Sequence, residues 1–233
     1  MEIIIKKNYD ERTDTTAQAV VDQLKSKPKS VFVFPADTTH AGMYDKLAKM
    51  CQEKKISFAE ARAFHLDEYI GLDVKNPKSF RYLLTEKLFS KTDFDPKNIY
   101  LIDGNAEEIE KVKTEYIAKI TDFGPVDLCI LGIGRNGHIG FNEPGTDASL
   151  AMPIVDLDSE TIEVNQGPSR AITLGIKTIL SAKKIILSAS GKAKAEAIKK
   201  AVKGTISSDC PASLLQNHPD VTFILDLDSA SLL

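Results

Sequence analysis

Short runs of consecutive apolar residues alternate along this chain with longer stretches whose apolar positions recur every three or four residues. The runs EIIIKK (2–7), VFVF (31–34), ARAFHL (61–66), NIYLI (99–103), DLCILGI (127–133), AITLGI (171–176), KKIILSAS (183–190) and VTFIL (221–225) read as strands. Between them, TTAQAVVDQL (15–24), AGMYDKLAKMCQEK (41–54), SFRYLLTEKLF (79–89), AEEIEKVKTEYIAKI (106–120), KTILSA (177–182), GKAKAEAIKKAVKG (191–204) and PASLLQNH (211–218) read as helices. Pro28 lies just past the first of these, and Gly204 ends the 191–204 helix. The alternation predicts an α/β fold: a single domain over 1–233, with a mostly parallel sheet and helices on both faces. Only 147–170 breaks the pattern, with mixed polarity and weak periodicity, and it is expected to form a mobile flap.

Composition narrows the function. Of 233 residues, 42% are hydrophobic and 27% charged, as in ordinary globular proteins. A net charge of -3 gives no electrostatic case for nucleic acid or an anionic membrane. No apolar run is long enough to span a bilayer, and the start MEIIIKKNYDERTD lacks the signature of a signal peptide, so a cytoplasmic protein is expected. Cys51, Cys129 and Cys210 are odd in number and widely spaced, which suggests neither disulfides nor a metal site.

In an open parallel sheet, the loops at the carboxyl ends of the strands meet in one crevice. Here four such loops carry reactive groups. PADTTH (35–40) brings Thr38 and Thr39, and AFHL is followed by Asp67, Glu68 and Tyr69. The Gly-rich run GRNGHIGFNEPG (134–145) holds Asn136, Gly137, His138 and Glu143. Lys192 and Lys194 open a helix, where a cation opposes the helix dipole and a bound anion would resolve the conflict. Asp67 thus reads as a base, His138 with Glu143 as a tuned acid/base pair, and Lys194 as an anion anchor. That set suits proton transfer beside a carbonyl. No nucleophile elbow is present, so acyl transfer is disfavoured. His40, His65 and His218 have no ligand spacing, and no metal is expected.

FHLDEYIGL (64–72), GIGRNGHIGFNEPGT (132–146), AITLGIKTILSAKKIIL (171–187) and PASLLQNH (211–218) resemble the glucosamine-6-phosphate deaminase/isomerase family, including its galactosamine-6-phosphate branch. The resemblance implies a NagB-type Rossmann-like fold. It also implies conversion of an amino-sugar 6-phosphate to a ketose 6-phosphate plus ammonia, without metal or organic cofactor. By motif, Asp67 would move a proton between C2 and C1. His138 would open the sugar ring, oriented by Glu143 and Asn136. Lys194 would bind phosphate, with Thr38, Thr39, Glu68, Gly137 and Arg170 as further substrate contacts. The partner implied is a small-molecule sugar phosphate, and a homo-oligomer stays open. Two readings compete: a 6-phosphogluconolactonase, which shares the fold, and a sugar-phosphate sensor without catalysis. The Asp67–His138–Glu143 set speaks against both. The chain departs from the family at Asp37, where the phosphate loop has glycine, at His40, where it has proline, and between Asn165 and Arg170, where the flap is shortened. Asp37 would either repel the phosphate or turn away to cap the following helix, and His40 is placed to pair with it.

Overall fold

In VFVF, Val31 and Val33 enter one hydrophobic core and Phe32 and Phe34 another, because successive side chains of a strand leave on opposite sides. Cys129 and Leu131 divide in the same way from Leu128 and Ile130. These strands are therefore central to a sheet covered on both faces. The computed structural model describes residues 1–233. In chain order its elements are β1 (Glu2–Lys6), α1 (Tyr9–Ser26), β2 (Val31–Phe34), α2 (Ala41–Gln52), β3 (Arg62–His65), β4 (Asp67–Tyr69), α3 (Phe80–Lys87), β5 (Ile99–Tyr100), α4 (Ile109–Asp122), β6 (Leu128–Leu131), β7 (Ile154–Asp156), α5 (Ser159–Asn165), β8 (Arg170–Thr173), α6 (Ile176–Leu180), β9 (Ile185–Ala189), α7 (Ala195–Lys203) and β10 (Val221–Asp226). Seven strands form the main sheet in the order β1-β10-β9-β6-β2-β3-β5, with every pairing parallel. Helices α1, α2 and α3 cover one face, and α4, α6 and α7 the other.

Several segments differ from the sequence-based expectation. The segment 171–176 does not join the main sheet. Instead β8 pairs antiparallel with β4 and β7 in a second, three-stranded sheet. The supposedly irregular stretch 147–170 supplies β7 and α5 to this layer. Tyr69, Phe141, Leu157 and Ala171 form a small core of their own there. Weak periodicity reflects short elements: β7 has three residues and α5 seven. The 211–218 helix is a tight 3-10 turn over Pro211–Asn217.

Candidate functional site

Strand β6 ends in the run Gly132–Glu143, and side chains rather than regular structure fix its shape. The Asn136 Oδ1 accepts from the His138 backbone N–H at 3.1 Å, and its Nδ2 donates to Glu143 Oε2 at 2.7 Å and Asp158 Oδ2 at 3.1 Å. Asn136 therefore joins the Gly-rich loop to the residue that precedes α5. The His138 Nδ1 lies 3.2 Å from Glu143 Oε2 and 3.4 Å from Thr161 Oγ1 of α5. Gly137 has φ +91°, and any side chain there would meet Cys210 Sγ at 2.6 Å.

Glu143 is buried, which by itself pushes its carboxyl pKa up, yet hydrogen bonding and attraction from His138, Thr161 and Asn136 bring it down to about 2. An ionised carboxylate can only accept. The His138 Nδ1 therefore carries the proton that faces it, and Nε2 is the nitrogen left for a ligand.

Asp67 opens β4, opposite Thr173 of β8. Thr173 Oγ1 accepts from the Phe141 N–H at 3.1 Å, which ties the small sheet to the Gly-rich loop. Asp67 is 5% exposed, and burial first, then Asp37 and Glu68, hold its carboxyl well above the usual range. No protein donor reaches its oxygens, which sets it apart from its neighbour. Glu68 accepts from the backbone N–H groups of Tyr69, Phe80 and Arg81 and from Ser79 Oγ.

After β2, Asp37 caps a single 3-10 turn, Thr38–His40. Its Oδ1 accepts from the His40 N–H at 3.0 Å and lies 2.6 Å from His40 Nδ1. Both structural roles open to Asp37, capping and pairing with His40, are thus taken by one oxygen. Beneath the turn lies Arg12 of α1, fully buried, donating to Thr39 O at 2.9 Å, Ser188 Oγ at 2.8 Å and Thr13 Oγ1 at 3.0 Å. Lys194, half-buried before α7, is lowered in pKa by burial and by Arg135, and partly restored by Asp37. Arg135, Asn136, His138, Thr161 and Lys194 line a recess with about 290 Å³ of empty space between the Gly-rich loop and α5. No group of three or more His, Cys, Asp or Glu side chains gathers as a metal cage, and no helix is long and apolar enough to cross a membrane.

A family model for glucosamine-6-phosphate isomerases/6-phosphogluconolactonase matches residues 7–224. The chain belongs to this family. A glucosamine-6-phosphate deaminase from Clostridium novyi is 45% identical, with 99% of each chain covered. One from Halothermothrix orenii is 43% identical over the whole of both chains. Among solved structures, a monomeric glucosamine-6-phosphate deaminase superposes with a TM-score of 0.97 at 37% identity, covering 100% of both chains. A 6-phosphogluconolactonase from Trypanosoma brucei, 18% identical with a TM-score of 0.82 and covering 100% of this chain and 98% of its own, shares the fold.

Within this member of the glucosamine-6-phosphate isomerase/6-phosphogluconolactonase family, the structure brings Asn136, Gly137, His138 and Glu143 into one loop. Asp67 and Lys194 flank that loop, and Thr38 and Thr39 stand beside Asp37. Two residues expected at the site do not join this group. Glu68 is spent on the start of α3, and Arg170 is mostly exposed and lies 3.4 Å from Asp156. Sequence reasoning also passed over Arg12, Arg135, Asp158 and Thr161. Arg12 carried a signal: it lies four residues before Thr16 and eight before Val20, on the buried stripe of α1. Asp158 and Thr161 had none, because their role depends on where α5 packs.

Proposed function

We propose that this protein converts an amino-sugar 6-phosphate to a ketose 6-phosphate and ammonia. The observation that carries the reading is the contrast between the two acids after β3. Burial raises both carboxyls, but Glu68 is saturated by four donors whereas Asp67 has no protein donor, and the Gly-rich loop supplies a histidine backed by an ionised carboxylate. In this reading His138, through Nε2, gives a proton to the ring oxygen and takes the one on the C1 hydroxyl, opening the sugar. Asp67 takes the proton from C2 of the open aldose as His138 returns one to O1, leaving an enolamine, and Asp67 then passes its proton to C1. The resulting C2 iminium adds water and releases ammonia, so one water is consumed and no electrons are exchanged. Lys194 binds the phosphate, with Thr38 and Thr39 closing around it. Asn136 and Glu143 orient His138, and Gly137 lets the loop turn. The names of the relatives favour the gluco epimer. Ammonia release is the test, measured over glucosamine 6-phosphate, galactosamine 6-phosphate and 6-phosphogluconolactone. Turnover of an amino sugar supports the proposal. Turnover of the lactone alone refutes it.

A further inference from the structure

The turn after β2 holds a carboxylate that structural duties use only by half. Asp37 Oδ1 is taken up by His40. Oδ2 instead lies only 2.3 Å from where a side chain on Gly132, the first residue after β6, would begin, so a larger residue there would push the carboxylate aside. The Asp37 side chain is 37% exposed, so its free side opens outward. Its charge acts on Arg12 beneath the turn, on Lys194 across it and on Asp67 beside it. Arg12 is anchored under this same turn through Thr39 O, so the turn that carries the Asp37 carboxylate sits directly above a buried cation. Arg12 has no carboxylate within ion-pairing distance, and its Nε is buried without a partner. A buried guanidinium is costly unless negative charge lies nearby.

We propose that Asp37 is a specificity-determining residue. Its carboxylate sets a negative charge against the anionic end of a ligand held by Lys194, and its free oxygen accepts from a sugar hydroxyl or ammonium. The site thereby discriminates less between phosphorylated and unphosphorylated amino sugars than Lys194 alone would make it. This rests on the proposed deaminase reading for the nature of the ligand, but not for the binding of a simple anion.

The experiment titrates inorganic phosphate into the wild type and into Asp37→Asn and Asp37→Ser by calorimetry. It then compares KM for glucosamine 6-phosphate and for glucosamine. Asparagine keeps the shape, and serine keeps an oxygen to cap His40. One unit charge some 5 Å from an anion, at an effective dielectric near 20, corresponds to roughly a hundredfold in affinity, and solvent screening reduces it toward about tenfold. Both variants should therefore bind phosphate about tenfold to a hundredfold more tightly. KM for the phosphate ester should fall, and KM for the free sugar should rise or stay level. Unchanged phosphate affinity in two folded variants would overturn the proposal, as would weaker binding of both ligands, the mark of a purely structural cap. If the wild type releases no ammonia from any amino sugar, the deaminase reading fails, while the phosphate titration still judges Asp37. Should one variant lose its folded melting transition, the other decides.

Discussion

Replacing Glu143 with glutamine separates charge from shape at the centre of the site. The amide still offers Nδ1 of His138 an acceptor, but it cannot ionise. In the folded protein the carboxyl titrates near 2, against an ordinary value of 4.5. At about 1.4 kcal/mol for each tenfold change in proton affinity, the surroundings favour the ionised form by about 3 kcal/mol. Because the folded pKa is depressed, this stabilisation is fully present above pH 4.5 and is lost as pH falls toward 2. Glu143→Gln should therefore be less stable at neutral pH by up to about 3 kcal/mol, with a flatter loss of stability through that acid window. If the same charge supports the protonated imidazole during ring opening, kcat for glucosamine 6-phosphate falls by about tenfold to a hundredfold while KM changes little. Urea melts at stepped pH measure the first effect, and steady-state ammonia release measures the second. A variant with wild-type kcat, or one whose acid-window stability tracks the wild type, would exclude this role for the Glu143 charge.

Asp67→Asn is expected to lower kcat by about 10²–10⁴-fold with KM nearly unchanged, because it removes a positioned base; stopped-time ammonia assays check this, and near-normal turnover would exclude the role. Glu68→Ala should lower Tm by several degrees, since it strands Ser79 Oγ, two backbone N–H groups at the start of α3 and that of Tyr69 in β4; an unchanged Tm with a raised KM would return Glu68 to the substrate site. Gly137→Ala forces a left-handed residue against Cys210 Sγ and should cost about 2 kcal/mol or more, read as a drop in Tm of at least about 4 °C by calorimetry.

The central strands were legible because each is an apolar run between turn residues, and the parallel order follows from strands alternating with helices. The second sheet was not. Asp67-Glu68-Tyr69 looks like a loop by length, and only pairing with β8, about a hundred residues away along the chain, makes it a strand. The start of α1 was also missed, because Asn8, which caps it by accepting from Glu11, precedes charged residues rather than apolar ones. At the site, the Gly-rich loop announced itself through residue types. Which of two adjacent acids stays free could not be read from sequence. That depends on α3 directing its first N–H groups at Glu68. Arg12 shows the same limit, since a charge on a buried stripe has meaning only once the turn above it is placed.

Solvent exchange at carbon tests the proton transfer assigned to Asp67. The protein is incubated with fructose 6-phosphate and ammonium in D2O, and C1 is followed by proton NMR. If Asp67 shuttles a proton between C2 and C1, the wild type places deuterium at C1, on one of the two positions, and Asp67→Asn does so at least about a hundredfold more slowly. Equal labelling by the variant would contradict it, as would wild-type protein that neither labels C1 nor, with glucosamine 6-phosphate deuterated at C2 in H2O, carries deuterium from C2 to C1.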